Sequence, residues 1–487
     1  MIRYAIALPL TLLMSGCTVG PNYKRPIVPV PKQWTETTKN KRTELPLPAQ
    51  PDQWWETFND PVLDRLITDA IGANLDLKQA LVRIKDARAQ RWVTITAGLP
   101  SVTGQNNVSR RFNNTTSTSQ IGGTPSTSSS FGIGNQLINI LQLGFGLQWE
   151  LDFFGGERRA IEAADATVDS EIENSRGVLI TLLGEVASNY IQLRANQQLI
   201  AITRENLYSQ QETTRLTQIR QQAGFASMLE VAQAQSQAAA TEAFLPAYET
   251  VVKQSIHALS VLLGREPSEL VPRLDQAGAI PAMPTVSIAE LPSELLLRRP
   301  DIRQAERQIE VANANVGVAT AELYPRVNLS AFLGLQNSTI TSFTPIGKSW
   351  STASSLTLPI FNWGRINANI KSKNAKFDLA FLTYKSTVLT AFKEVENALI
   401  AYNNEQQRSK SLAQAVAASQ LAVQMANERY HRGLTMFLDV LQTQQTLYQT
   451  QRNLVDSEAQ LSIDLVALYK ALGGGWQTET IVSGVVE

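Results

Sequence analysis

Few side chains in this chain are equipped for chemistry. Its 487 residues hold two histidines, His257 and His431, and a single cysteine, Cys17. One cysteine permits neither an internal disulfide nor a thiolate cluster, and two distant histidines form no metal-ligand pair. His257 lies in a heptad-patterned stretch with no credible Ser-His-Asp arrangement around it. Gly347-Lys348-Ser349 has the ending of a phosphate-binding loop. Ser342, however, stands where its earlier glycine belongs, and no parallel-strand context surrounds it. Lysine plus arginine equals aspartate plus glutamate, 43 each, so no global field favours nucleic acid. No acid, base or nucleophile constellation remains, which speaks against an enzyme. The groups left to consider are Cys17 and two sets of charges beside glycines: Arg220, Gly224 and Glu230, and Arg429, Gly433 and Asp439.

Cys17 has a telling context. Met1 to Tyr4 gives a short positive start, and Ala5 to Met14 is an apolar run of signal-peptide length, too short to span a bilayer. Small Ser15 and Gly16 then precede the cysteine. The arrangement resembles a bacterial lipobox, with Met14 where leucine is usual. That resemblance implies removal of residues 1–16 and covalent lipid on Cys17 as the first mature residue. Thr18, in place of an aspartate, implies sorting to the outer membrane. No cofactor is expected besides that lipid. No later stretch reaches helical spanning length, so any crossing of a membrane must use a β-barrel.

The elements that must position these groups come in two copies. Gly224 and Gly433 lie 209 residues apart, and the same offset matches Arg220 with Arg429, Leu229-Glu230-Val231 with Leu438-Asp439-Val440, and Gly155 with Gly364. Upstream, Leu99-Pro100 and Tyr324-Pro325 correspond at an offset of 225, so the first copy carries about sixteen extra loop-like residues. Asp76 to Ala97 reads as a helix stopped by Pro100. Leu143, Phe145, Leu147, Trp149 and Leu151 then alternate as a strand, as do Val327, Leu329, Ala331, Leu333 and Leu335, followed by Leu356 and Leu358. Two strands per copy make four per chain, too few to close a barrel alone. Either they form a small soluble sheet or several chains pool them.

Long helices follow each strand pair. Glu157 to Ala223 and Arg365 to Arg432 contain no proline, and at 1.5 Å per residue each would run about 100 Å. On the return arms Val231, Ala238, Leu245, Val252 and Leu259 recur every seven residues, as do Val440, Leu447, Leu454, Leu461 and Leu468. Such a repeat implies left-handed supercoiling against neighbours. Pro246 interrupts the first arm and should kink it. The expected layout is a lipid-anchored segment at 17–60, a first repeat at 61–264 and an equatorial linker at 265–299. A second repeat at 300–473 and a tail at 474–487 complete it. The strand pairs fall near 101–152 and 326–360, and the hairpin tips near 224 and 433.

These residues match a known family. Cys17-Thr18-Val19-Gly20-Pro21-Asn22-Tyr23-Lys24-Arg25-Pro26, Trp54-Trp55-Glu56-Thr57-Phe58-Asn59-Asp60-Pro61, and Arg298-Arg299-Pro300-Asp301-Ile302-Arg303-Gln304-Ala305-Glu306 resemble motifs of the outer-membrane factor (TolC-like) family, in its NodT-type lipoprotein branch. The resemblance covers essentially the whole mature chain. It implies a mainly α-helical homotrimer, each chain giving four strands to a twelve-stranded membrane barrel above a coiled-coil periplasmic tunnel. It also implies a passive efflux duct for small toxic compounds that docks a periplasmic adaptor and an inner-membrane pump. The Arg298 block has a plainer reading as helix-start chemistry, with Pro300 first and Asp301 and Glu306 in the early turns.

A tunnel needs closure where its hairpins turn, at Gly224 and Gly433. Under threefold symmetry Glu230 and Asp439 would supply six carboxylates around a narrow mouth. By resemblance Asp439 sits at a constriction, while Gln442 stands where a second family acid is usual. Two readings stand for each group. Ser227-Met228-Leu229-Glu230 is a capping-box pattern, and Asp439 lies where a helix N-terminus favours negative charge. Arg220 and Arg429 would pair with these acids or simply form a solvated face.

Overall fold

The computed structural model describes residues 18–29, 31, 34, 51–113, 136–281, 297–337 and 347–476. Cys17, and with it the expected site of lipid attachment, lies outside them. A 3₁₀ stretch at Pro51–Phe58 leads into α1 (Pro61–Ala73) and α2 (Leu75–Ala97). Strands β1 (Ser101–Asn113) and β2 (Gln136–Leu151) precede α3 (Gly156–Gln222). The first return arm is α4 (Met228–Glu242) and α5 (Leu245–Leu262), followed by the short α6 (Val271–Leu274). The second copy comprises α7 (Pro300–Ala321), β3 (Arg326–Asn337), β4 (Lys348–Thr357), α8 (Arg365–His431) and α9 (Phe437–Ala471).

The repeat is structural. Both α3 and α8 are 67 residues long, and their ends correspond at the offset of 209. So do the left-handed glycines at the helix boundaries: Gly155 and Gly364, just before α3 and α8, at φ +81° and +78°, and the glycines that follow helix ends, Gly224 and Gly433 at +79° and +72° and Gly264 and Gly473 at +64° and +72°. A Cβ there would be strained whatever the surroundings. The chain divides into two compact units, each drawing on both copies. One comprises Met1–Lys24, Ala87–Val168 and Gln308–Ala380, the other Arg25–Asp86, Asp169–Arg307 and Phe381–Glu487.

The first unit holds one antiparallel sheet of order β1-β2-β3-β4. Cross-strand partners share a face, so the register sorts every strand residue. Val102 pairs with Leu147, Phe145 with Leu333, Leu333 with Trp350 and Val327 with Leu356, which makes one face apolar. Its Val108, Phe112, Leu143, Phe145, Leu333, Trp350 and Leu356 are all more than half exposed. The other face carries Thr103, Gln105, Asn107, Gln148, Ser330, Ser351, Ser355 and Thr357. Phe332 is the one aromatic residue on that polar face. Its ring lies across the facing pair Gly144 and Gly334, whose missing side chains leave it room.

The second unit is held by packed apolar side chains. Trp54 and Phe58 are 1 % exposed, with Leu63, Leu66, Ile67, Leu183, Ile191 and Leu465 equally buried. Asp60 caps α1 by accepting from the Val62 and Leu63 amides, at 2.8 and 3.2 Å, and accepts the Tyr190 hydroxyl at 2.7 Å. Pro61 opens the helix where no amide is needed. The heptad residues Val231, Val252, Leu259, Val440, Leu461 and Leu468 are buried as their spacing predicts.

One return arm is continuous and the other is not. α9 runs for 35 residues, whereas its counterpart breaks at Ala243 and Phe244, because Pro246 has no amide for the ladder. The torsions at the break stay right-handed helical. The Arg452 guanidinium from α9 closes over it, 4.4 Å from the Phe244 ring, 5.6 Å from Tyr448 and 5.8 Å from Tyr248. Burial, then the neighbouring Tyr448, pushes the Tyr248 hydroxyl up to about 12. Replacing Arg452 with alanine should remove both cation–π attraction and stem packing, lowering stability by about 1–2 kcal/mol. Chemical denaturation in detergent would measure the change.

Candidate functional site

The two tips are built alike and finished differently. At the first, the Phe225 amide donates to the Arg220 carbonyl at 2.8 Å and Gly224 to Gln221 at 2.9 Å. At the second, Leu434 donates to Arg429 at 2.9 Å and Gly433 to Tyr430 at 3.0 Å. These are glycine C-caps that satisfy the last carbonyls of α3 and α8. Beyond the first tip, Ser227 and Glu230 form a reciprocal capping box, each side chain accepting the other's amide at 3.3 Å. Beyond the second, Met436 occupies the serine's place and supplies no side-chain cap. There the Thr435 hydroxyl donates to the Asp439 carboxylate, which remains exposed.

Behind the turns lies an apolar cluster of Ala234, Ala426, Tyr430, Phe437 and Val440, with Leu441 packed against it. Phe437 and Val440 are essentially inaccessible. Arg220 closes this cluster from the side: its guanidinium lies 4.6 Å over the Tyr430 ring and donates to the Tyr430 carbonyl at 3.3 Å. Burial, then opposed by the Arg220 charge, leaves the Tyr430 hydroxyl raised above its ordinary value. Nearby, Gln444 of α9 donates to Thr213 of α3 at 3.1 Å, so α3 is tied to both helices of the second hairpin.

The structure therefore brings Arg220 to an aromatic ring rather than to a carboxylate. Among the described residues no ion pair joins Arg220 or Arg429 to Glu230 or Asp439 within the chain. Glu230 is engaged by its own helix start, and Arg429 points from an exposed position. Sequence reasoning missed Tyr430. The available signal was an aromatic residue between Arg429 and His431, one turn before a glycine in an otherwise polar helix.

The Arg298 block resolves into a clamp. Arg299 is 7 % exposed and makes four hydrogen bonds, two to Asp301 at 3.0 and 2.7 Å, one to Glu394 at 2.7 Å and one to the Ala471 carbonyl at 2.8 Å. It thus ties the start of α7 to the middle of α8 and the end of α9, and the carbonyl it meets lies in the last turn of α9, where positive charge is favoured. Beside it, Arg303 reaches the buried Glu173 at 2.7 Å and Arg25 reaches Glu306 at 2.9 Å.

Just after Cys17 the chain is strapped down. Arg159, 4 % exposed, donates to the Val19 carbonyl at 3.2 Å, the Gly20 carbonyl at 3.4 Å and the Asn22 side chain at 2.6 Å. Asn313 donates to the Pro21 carbonyl at 2.9 Å. Gly20 has φ +87°, and a Cβ there would stand 2.5 Å from the Gly317 Cα. Two glycines therefore permit the close crossing of strap and helix. No helix among the described residues is long and apolar enough to cross a membrane, and no group of them is arranged to hold a metal ion.

A sheet with one face apolar and exposed, the other polar, and proline-free helices of 67 residues turning at capped tips describe a conduit wall. The family model for outer membrane efflux proteins matches residues 66–265 and 291–474. The chain belongs to that family. It is 32% identical over 482 residues to nodulation protein T of Rhizobium leguminosarum bv. viciae, covering 97% of this chain and 94% of that protein. It is 34% identical over 487 residues to the pyoverdine export outer membrane protein OpmQ of Pseudomonas putida, covering 98% of both. Among solved structures, the outer-membrane channel OprN superposes with a TM-score of 0.85 at 32% identity, over 95% of this chain and 100% of that one. The channel CusC gives 0.81 at 27% identity, over 94% and 100%.

This outer membrane efflux protein is a TolC-like channel of the outer membrane with a periplasmic helical portion. It is trimeric, so its four-stranded sheet contributes one third of a twelve-stranded barrel. Arg299 is part of that scaffold. Arg299→Ala should cost about 3 kcal/mol, the low end for a broken buried pair because Asp301 and Glu394 stay half exposed. Lysine should not restore it, having no planar fork for two carboxylates. Thermal unfolding of the purified variants tests both statements.

Proposed function

We propose that this efflux channel is a passive, gated duct that carries out no chemical step and draws its energy from a periplasmic adaptor and an inner-membrane pump. The carrying observation is the clasp of Arg220 over Tyr430, which holds the two hairpins of one chain together beside the tips. In this reading docking of the adaptor separates α3 from α8, breaks the clasp and widens the mouth. Asp439, exposed and outside any capping box, lines that mouth three times in the trimer, and Arg429, also exposed, stands near the same tip. Glu230 contributes chiefly by shaping the first tip. Exposed carboxylates around a narrow mouth favour cations.

The cargo is small toxic compounds, with little discrimination by the duct itself. In support, relatives of comparable identity carry names tied to different cargoes, pyoverdine for one at 34% and toluene for another at 31%. A wall lined by Ser, Thr, Asn and Gln suits such breadth. Lipid on Cys17 anchors the strap at 18–22, adding attachment to a barrel that already spans the membrane.

In planar bilayers the wild type should open rarely. Loss of the clasp in Arg220→Ala, at about 1.4 kcal/mol, should raise the open fraction roughly tenfold. Asp439→Ala should leave opening largely intact and reduce cation preference, read from reversal potentials in a salt gradient. Unchanged opening in Arg220→Ala would remove the clasp from the mechanism. Separately, Cys17→Ser protein should stay in the membrane fraction through alkaline extraction. Release into the soluble fraction would instead favour a periplasmic coiled-coil lipoprotein.

A further inference from the structure

Among the described residues of one chain, the outer edges of β1 and β4 have no partners. The internal repeat says what each should meet. The offset of 225 carries β1 onto β3, and the offset of 209 carries β2 onto β4. Applied together to the β1–β2 register, they reproduce the β3–β4 register. Ser101 opposite Gln148 becomes Arg326 opposite Thr357, and Arg110 opposite Asn139 becomes Leu335 opposite Lys348, both as observed. The repeat therefore fixes strand pairing residue by residue, not only strand order.

The same offsets can be applied to the seam between the copies. In that seam Gly146 faces Phe332, Phe145 faces Leu333 and Leu141 faces Asn337. Carried over, these pairs set Ser355, Ser354 and Trp350 of β4 against Asn107, Val108 and Phe112 of β1. The edges lie on opposite sides of the sheet, so the β1 in question belongs to another copy of the chain. Trp350 and Phe112 are 74 % and 58 % exposed on the apolar face and would form a cross-strand aromatic pair.

A second observation comes from the turn after β4. Trp363 takes a left-handed φ of +52° although it has a side chain, and it is 90 % exposed. Its ring neighbour among the described residues is Phe361, at 5.0 Å. Strain of this kind persists where surroundings compensate it. Its counterpart at the offset of 209 is Phe154, whose ring stacks on Tyr324 at 4.8 Å, across the seam between the copies. The counterpart of Tyr324 is Leu99, itself 51 % exposed.

We propose that β4 of each protomer pairs with β1 of the next in the register that sets Ser355 opposite Asn107, and that Trp363 locks this seam by stacking on the partner subunit's Leu99. The inference rests on the shared barrel of the trimer and adds to it the register and the lock. It makes the seam between chains a repeat of the seam within the chain, so all six seams of the ring follow two alternating sets of residues.

Disulfide trapping tests the register, since Ser355 and Asn107 face the polar side and the chain has no native cysteine besides Cys17. The full-length trimer carrying Ser355→Cys with Asn107→Cys should give covalent trimers on non-reducing gels. Ser355→Cys with Gln105→Cys or with Ser109→Cys should stay monomeric there, as should each single variant. Stronger trapping at 105 or 109 overturns the register. Absence of trapping in all three, with a trimer by light scattering in detergent, overturns the seam and leaves the trimer standing. A folded monomer by light scattering overturns the shared barrel and the seam together. For the lock, Trp363→Ala should lower the temperature at which the trimer dissociates in dodecyl sulfate, and Trp363→Phe should restore most of it. An unchanged temperature in Trp363→Ala overturns the lock.

Discussion

A backbone group that enters hydrocarbon must find its hydrogen bond inside the protein, because lipid offers none. Four strands satisfy that demand between themselves and fail at two edges. The trimer is the consequence. Three copies close the sheet, and every neighbouring feature serves that closure: alternation puts leucines, valines and aromatics outward, and the polar side faces a lumen too wide for side chains to fill. Phe332 illustrates how strict the sorting is, since the one large apolar ring on the polar face is absorbed by two facing glycines.

The helices answer a different problem, which is to extend a hollow tube without a core. A helix in such a wall has neighbours on both sides and no single buried stripe. That explains why α3 and α8 have apolar residues spread around them and why buried polar side chains recur. Asn206 meets Gln451 at 2.8 Å and Thr203 meets Tyr448 at 3.0 Å, ties that fix register between helices at little cost when both partners are satisfied. Length without proline does the rest. Where the sequence does carry a proline, at 246, the ladder breaks and an arginine with three rings bridges the gap.

Much of this was legible in the sequence because it is periodic. Two offsets located the copies, alternation located the strands, and seven-residue recurrence located the return arms. Gly264 and Gly473 obey the same offset and went unread only because a glycine after an apolar helix is common. Side-chain partners across elements were another matter. Arg220 reads in the sequence either as an acid's partner or as part of a solvated face, and it lies on Tyr430, while Glu230 is engaged by Ser227 three residues away. That competition is local, and the capping-box spacing of Ser227 and Glu230 carries it in the sequence. The strap is less accessible: nothing in Val19-Gly20-Pro21-Asn22 announces Arg159, some 140 residues later, as the residue that reads its carbonyls.

The divergence of the two tips bears on how such a mouth can open at all. If both copies were identical, the trimer would present six equal hairpins, and nothing would favour moving one set over the other. Here the first tip is internally satisfied, with serine and glutamate closing each other's amides. The second has lost the serine to Met436 and leaves Asp439 held only by Thr435. The second hairpin instead contributes Tyr430, Phe437 and Val440 to the cluster that Arg220 covers. One hairpin is therefore stable by itself and the other by contact with its neighbour. A docking protein needs to compete only with that contact, worth a few kcal/mol, rather than with the folding of either hairpin. Apolar packing and one cation–π contact yield to a competing surface while both helices stay intact, which a gate must allow if it is to close again.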